Sequence, residues 1–195
     1  MKIVTLLGSP RTKGNSSTIA NRFTAAAANL GAESRVFELN TLNYRGCQGC
    51  YACKKKTDKC ILEDDLSQVL AAVSEADVLV MASPVYYGDV SGQLKCFIDR
   101  TFSYLVPDYI TNPKPCRLAP GKKLVFIITQ GQPDEGLFAD IFPRYSGFLK
   151  WYGFAEARLI RACGIGPASA DKVPDRYLKM ADETAQVLLE RSQKP

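Results

Sequence analysis

Ile3-Val4-Thr5-Leu6-Leu7-Gly8-Ser9-Pro10-Arg11-Thr12-Lys13-Gly14-Asn15-Ser16-Ser17 is the stretch that decides the fold. Its first five residues are apolar or β-branched without a break, the pattern of a strand buried on both faces, and Gly8 ends the run. A loop rich in glycine, serine and asparagine follows. Ile19, Phe23, Ala26, Ala27 and Leu30 then recur at helical spacing until Gly31. Strand, loop and helix in this order make the opening unit of a parallel α/β sheet, because parallel strands need crossover helices.

The remainder of the chain repeats the unit. Val36, Phe37 and Leu39 suggest a second strand, and Leu66, Val69, Leu70 and Val73 a helical face that Asp64 or Asp65 can cap. Residues 78–82 read as the third strand and 90–104 as the helix after it. Residues 124–129 read as the fourth strand, with Phe138, Ile141, Phe142, Tyr145, Phe148 and Leu149 lining the next helix. Residues 159–163 give a fifth strand, and Tyr177, Met180, Ala181, Thr184, Val187 and Leu188 keep a helical period to the end. The expectation is an α/β protein with one doubly wound, five-stranded parallel sheet of order 2-1-3-4-5 between two helical layers. At 195 residues the chain has the size of one domain, so 1–195 is expected to be a single unit with a surface excursion at 107–120.

Composition narrows the function. A hydrophobic fraction of 46% and a charged fraction of 23% belong to an ordinary globular protein, and no apolar run reaches the length of a membrane span. The start carries one lysine and a short apolar run that enters a Gly-Ser-Pro turn. It reads as a strand and not as a secretory signal, so a cytoplasmic location is expected. A net charge of +5 is too modest to argue for nucleic acid. Histidine is absent, which excludes Ser–His and Cys–His nucleophile pairs and every metal site that needs imidazole. Seven cysteines in a reducing compartment are not a disulfide framework. The chemistry must come from thiolates, carboxylates, backbone amides or a bound cofactor.

Three motifs supply it. The loop from Gly8 to Ser17 follows a strand and opens a helix, where free N–H groups and the helix dipole favour an anion. Ser9, Ser16 and Ser17 add hydroxyls, Asn15 an amide donor and Arg11 a guanidinium. Asn15 stands where a Walker loop needs lysine, and the paired glycines of a dinucleotide fingerprint are missing. A phosphate monoester such as that of FMN suits this loop. Ser83-Pro84-Val85-Tyr86-Tyr87-Gly88 lies beyond the third strand, beside the crevice where strand order reverses and ligands bind. Extended backbone there can hydrogen-bond a flat ring, with Tyr86 or Tyr87 packed against it. Thr129-Gln130-Gly131-Gln132, at the end of the fourth strand, would be the third wall. Gly164 and Gly166 are too weak a signal for a nicotinamide site.

The third motif is Cys47, Cys50, Cys53 and Cys60, spaced C-x2-C-x2-C-x6-C after the second strand. An all-thiolate set suits a soft metal, and its first three spacings match the tight loop around a cubane cluster. A four-thiolate zinc site, a redox disulfide pair and an empty relic are the alternatives. Arg45, Lys54, Lys55, Lys56 and Lys59 surround these cysteines, as either a solvated loop or a docking patch for an acidic electron donor. Cys96, Cys116 and Cys163 follow no pattern, and Trp151 reads as core.

The anion loop, the Ser-Pro-Val-Tyr-Tyr-Gly segment and Leu94-Lys95…Asp99-Arg100 together resemble the NAD(P)H-dependent FMN reductase family, of flavodoxin-like fold, through about Gly131. Within it the compact cysteine motif is similar to that of the iron–sulfur flavoproteins. The resemblance implies FMN phosphate contacts from Ser9, Arg11, Asn15, Ser16 and Ser17. It also implies ring and ribityl contacts from Pro84, Val85, Tyr86, Tyr87 and Gly88. A [4Fe–4S] cluster on the four cysteines would exchange electrons with FMN, and NAD(P)H or a ferredoxin would be the redox partner. No side chain is needed as an acid–base catalyst, since the flavin carries the reaction. Asp99 and Arg100 read as structural, near a subunit interface in a homodimer or a dimer of dimers. A cluster-free NAD(P)H-dependent FMN or quinone reductase and a non-enzymatic flavodoxin-type carrier remain the alternative functions.

Overall fold

The computed structural model describes residues 1–166 and 173–190. Its elements are β1 (Lys2–Leu7), α1 (Asn15–Asn29), β2 (Glu33–Glu38), α2 (Ala52–Lys55), α3 (Leu66–Glu75), β3 (Val78–Tyr86), β4 (Asp89–Val90), α4 (Gly92–Arg100), β5 (Lys122–Thr129), α5 (Ile141–Trp151), β6 (Phe154–Ala162) and α6 (Asp175–Glu190). The parallel strands run in the order β2-β1-β3-β5-β6, the 2-1-3-4-5 arrangement expected, and β4 pairs antiparallel with the end of β3. Leu7 lies opposite both Glu38 and Ala82, so β1 ends between its two neighbours at one level.

Alternation along the central strands builds two cores. Val4, Leu6, Leu79, Met81, Leu124 and Phe126 face the layer containing α3, α4 and α5. Ile3, Leu7, Val78, Val80, Val125 and Ile127 face α1 and α6. Both faces being covered, the strands are apolar throughout. Among the described residues no helix is long and apolar enough to cross a membrane.

The largest departure from the expected boundaries concerns β3, which continues four residues beyond Ala82 through Ser83-Pro84-Val85-Tyr86. Pro84 lies past the end of β1, where β3 keeps a parallel neighbour on one side only and a residue without N–H is tolerated. Tyr87 (φ 49°) and Gly88 (φ 78°) then reverse the chain as a two-residue turn into β4. Positive φ at both positions is the backbone twist that suits a tight hairpin. The helix expected from residue 90 therefore starts at Gly92, capped by Ser91, whose hydroxyl accepts from the Leu94 N–H at 3.4 Å. Its last turn passes into a 3-10 turn over Thr101–Tyr104. Phe138 precedes α5 instead of lying on it, and its ring comes within 3.3 Å of where a side chain on Gly88 would begin.

Gly8 fixes how these parts meet. Its N–H donates to the Ala82 carbonyl at 2.8 Å, and its carbonyl accepts from the Ser91 hydroxyl at 2.6 Å. A Cβ at Gly8 would stand 2.9 Å from Leu94 Cβ and 3.0 Å from both Ala82 O and Ser91 Oγ. Gly8→Ala should therefore destabilise the chain by about 1–3 kcal/mol through forced separation of β3 and α4. A lowered urea midpoint at unchanged slope would show it; a midpoint equal to that of the parent would refute it.

Candidate functional site

At the carboxyl ends of the central strands lies a cavity of about 200 Å³. The loop after β1 contributes Ser9, Arg11, Asn15 and Ser16 to its wall, and the end of β3 contributes Pro84, Val85 and Tyr86. The end of β5 adds Thr129, Gln130 and Gly131. Three segments distant in sequence thus meet at the reversal of strand order, as expected of this sheet. Ile165 and Gly166, after β6, complete the wall. Sequence reading missed them because only a sparse Gly-Ile-Gly pattern marks them.

The loop is built for close approach. Gly14 donates to the Arg11 carbonyl at 2.9 Å, and a Cβ on Gly14 would stand 2.6 Å from Ser9 Oγ. Ser9 Oγ accepts from the Arg11 N–H at 3.1 Å. Behind the loop, Ser91 N–H donates to Ser83 Oγ at 2.8 Å, and Ser83 Oγ donates to the Pro84 carbonyl at 2.7 Å. With the Ser91–Gly8 bond, this relay joins the loop, β3 and α4.

The first turn of α1 has Gly14 as its cap, no side-chain cap and no acidic residue, so its N–H groups face the cavity region without a protein anion. Ser16 and Ser17 are each 1% exposed, and neither hydroxyl has a hydrogen-bond partner among the described residues. Buried hydroxyls without partners are costly, and a helix N-terminus beside them is an environment that favours an anion. Arg11 is exposed at the rim.

Other predicted residues are placed differently. The Asn15 side-chain amide donates to the Gly166 carbonyl at 2.7 Å, so it ties α1 to the segment after β6. Ser17 lies behind the wall, not on it. Tyr87 is fully exposed and, with Gly88, forms the hairpin turn. The Gln130 side chain is buried in loop organisation: it donates to the Gln132 and Asp134 carbonyls, each at 3.0 Å, and accepts from Arg161 at 2.8 Å. Tyr145 on α5 donates to Asp89 at 2.8 Å and holds the hairpin from below; burial, then that carboxylate, raises its pKa.

The four motif cysteines line a second cavity of about 370 Å³. Cys47 and Cys50 are exposed, Cys53 and Cys60 half-buried, and all are free thiols. Gly49 (φ 60°) and Tyr51 (φ 55°) curl the loop before the single turn α2. The thiols ring the cavity without converging: among the described residues, no group of three or more His, Cys, Asp or Glu is placed to hold a metal ion. Their number and softness fit an iron–sulfur cluster, and all four line one concavity.

Arg100, 1% exposed, secures the neck of this loop. It donates to the Arg45 carbonyl at 3.0 Å, the Leu62 carbonyl at 3.2 Å and the Asp64 carboxylate at 2.8 Å. Burial opposes its charge, but the bond to Asp64 and the neighbouring Cys60 more than offset it and raise the pKa. Asp64 also accepts from the Arg45 and Leu66 N–H groups, the latter at the first residue of α3, whose cap residue Asp65 makes no side-chain capping bond. Burial pushes the Asp64 carboxyl up, yet these donors hold it below the usual range. Lys54 turns inward instead of joining a surface patch. Its ammonium donates to the Phe102 carbonyl at 2.6 Å and the Leu105 carbonyl at 2.8 Å, and it sits 4.1 Å from the Phe102 ring centre. Arg45, Lys55, Lys56 and Lys59 remain exposed.

The family model for NADPH-dependent FMN reductases matches residues 1–141. The chain belongs to that family. It is 38% identical over 101 residues to an iron–sulfur flavoprotein of Methanocaldococcus jannaschii, a match covering 52% of each chain. It is also 38% identical over 104 residues to one of Archaeoglobus fulgidus, covering 53% of this chain and 47% of the other. The chain thus spans about half the length of the curated relatives it matches. In three dimensions it is similar to the NAD(P)H:quinone oxidoreductase of Methanothermobacter marburgensis. The TM-score is 0.77 at 21% identity, over 96% of this chain and 98% of the other, a likeness of fold.

The partnerless hydroxyls yield a stability test. Ser17→Ala should stabilise the flavin-free chain by roughly 1 kcal/mol, because it removes a desolvated group that binds nothing. Chemical denaturation measures it; a loss of stability would mean that the hydroxyl has a partner.

Proposed function

We propose that the chain is a flavin-dependent oxidoreductase that exchanges electrons between FMN in the 200 Å³ cavity and a [4Fe–4S] cluster on Cys47, Cys50, Cys53 and Cys60. The observation that carries the reading is the pair of buried, unpartnered hydroxyls at the start of α1, a receptor shaped for a phosphate. FMN, when bound, supplies conversion between one- and two-electron transfer, and the cluster a one-electron port.

The protein's part is positioning. The N–H groups of the first turn of α1, with Ser9 and Ser16, bind the phosphate, and Arg11 approaches it from the rim. Pro84, Val85 and Tyr86 flank the ring on one side and Thr129, Gln130 and Gly131 on the other, while Tyr87 and Gly88 set the hairpin that shapes this wall. None of the described residues lining the cavity is a carboxylate, and no side-chain base is assigned. NAD(P)H or a ferredoxin is the electron donor, and exposed Lys55, Lys56 and Lys59 suit an acidic carrier. Exposed Phe148 and Trp151 on α5, next to α4, form the apolar surface covered in a homodimer or a dimer of dimers.

A cluster-free NAD(P)H-dependent FMN or quinone reductase is the second reading, favoured by the separation of the four thiols. Anaerobic purification with iron, sulfide, zinc and flavin assays decides between them. About four irons and one FMN per chain are expected, and Cys60→Ala should lose the iron and keep the flavin. One zinc and no iron would leave the cluster-free reductase. Riboflavin should bind at least about tenfold more weakly than FMN, and Ser9→Ala with Ser16→Ala should erase most of that difference. Equal affinities in the parent would remove the phosphate assignment.

A further inference from the structure

Arg100 offers five N–H donors, and the protein uses the Nη groups alone: Nη1 on Arg45 and Asp64, Nη2 on Leu62. Its Nε–H is buried and has no hydrogen-bond partner among the described residues. Arg100 lines the same cavity as Cys47, Cys50, Cys53 and Cys60. Cys60 is the thiol beside the guanidinium, close enough to act on its charge. The three occupied acceptors lie on both sides of the loop: Arg45 two residues before Cys47, Leu62 and Asp64 two and four residues after Cys60. One planar cation from α4 therefore closes the neck and keeps a spare, buried donor on a residue that lines the cavity the thiols share. A desolvated N–H is costly to leave unpaired, and a thiolate or sulfide sulfur is an acceptor of matching charge.

We propose that Arg100 is a positioning residue for the iron–sulfur cluster, its Nε–H donating to a cluster sulfur, that of Cys60 or an adjacent sulfide. The inference rests on the cluster reading above. Donation to sulfur stabilises the more negative, reduced form, so this bond raises the cluster potential. Lysine cannot replace it: an ammonium lacks the fork that serves both sides of the neck and the sulfur at once.

The test uses the full chain reconstituted anaerobically with iron and sulfide, as parent, Arg100→Lys and Asp64→Asn. Iron per chain, loss of iron to a chelator and midpoint potential are read, with FMN content as the check of folding. Arg100→Lys should hold iron about 10–100-fold less tightly, and its remaining cluster should titrate at a more negative potential. Asp64→Asn loosens the same neck but leaves Nε in place, so it should lower iron occupancy without moving the potential. Parent-like iron retention and potential in Arg100→Lys would overturn the proposal. Equal displacement of the potential in both variants would also overturn it, reducing Arg100 to a staple. If Arg100→Lys fails to retain FMN, the parent decides: with the heavy nitrogen isotope at arginine Nε, pulsed EPR of the reduced cluster should show coupling to that nucleus, and its absence would refute the bond. A parent that binds FMN and takes up no iron sinks the cluster reading itself, and this inference with it.

Discussion

One backbone carbonyl and two side chains converge on Gly8 at distances that leave no room for a Cβ. There β1 ends, β3 continues and the first turn of α4 begins, and each is bonded to the others through Gly8, Ala82, Ser83 and Ser91. The loop after Gly8 can reach the start of α1 with its N–H groups toward the cavity because this junction is so tight. A wider one would carry Ser9 and Gly14 away from the end of β3. The proposed anion receptor is thus a consequence of strand packing as much as of the loop's own sequence.

The same junction links the two candidate sites. Ser91, at the start of α4, holds the loop proposed to receive the anion; Arg100, at its end, holds the neck of the cysteine loop. The helix has nine residues, so its ends lie roughly 13 Å apart at 1.5 Å per residue. A short, buried helix has little freedom to bend, and it fixes the relation between one site and the other. The 3-10 turn that follows extends this role, since its Phe102 carbonyl and the nearby Leu105 carbonyl anchor Lys54 from the middle of the cysteine loop.

Where the chain spends stability is equally telling. Ser16, Ser17 and the Nε of Arg100 are buried without partners, and each such group costs about 1–3 kcal/mol. Elsewhere Lys122 donates to the Ser74 and Ala76 carbonyls at the end of α3 and Tyr104 to the Leu70 carbonyl, while Ser34 Oγ and the Nε atoms of Arg158 and Arg161 are also buried without a partner among the described residues. Several of the uncompensated groups concentrate where a phosphate and a sulfur are proposed to sit. Stored cost of this kind is characteristic of sites that await a ligand.

Local pattern by itself determined the alternation of strands and helices and the small, polar loop that opens α1, and the doubly wound class that it implies carried the strand order. It also named the four thiols, because each of these is written in residues close together along the chain. Buried strands need continuous apolar runs, and a helix-opening loop needs small donors at fixed spacing. The functions of single side chains were decided elsewhere. Asn15 meets Gly166 across 151 residues, Arg100 meets Arg45 across 55 and Lys54 meets Leu105 across 51. Sequence made Asn15 an anion donor and Lys54 a surface charge; tertiary packing gave each a carbonyl instead, and left Gln130 to brace its own loop. The boundary of β3 was likewise hidden, since Pro84 opposes a strand by its chemistry and is admitted only because β1 has ended beside it. A polar side chain bonds to whichever acceptor the fold brings within 3 Å, and that acceptor comes from elements far apart in the chain.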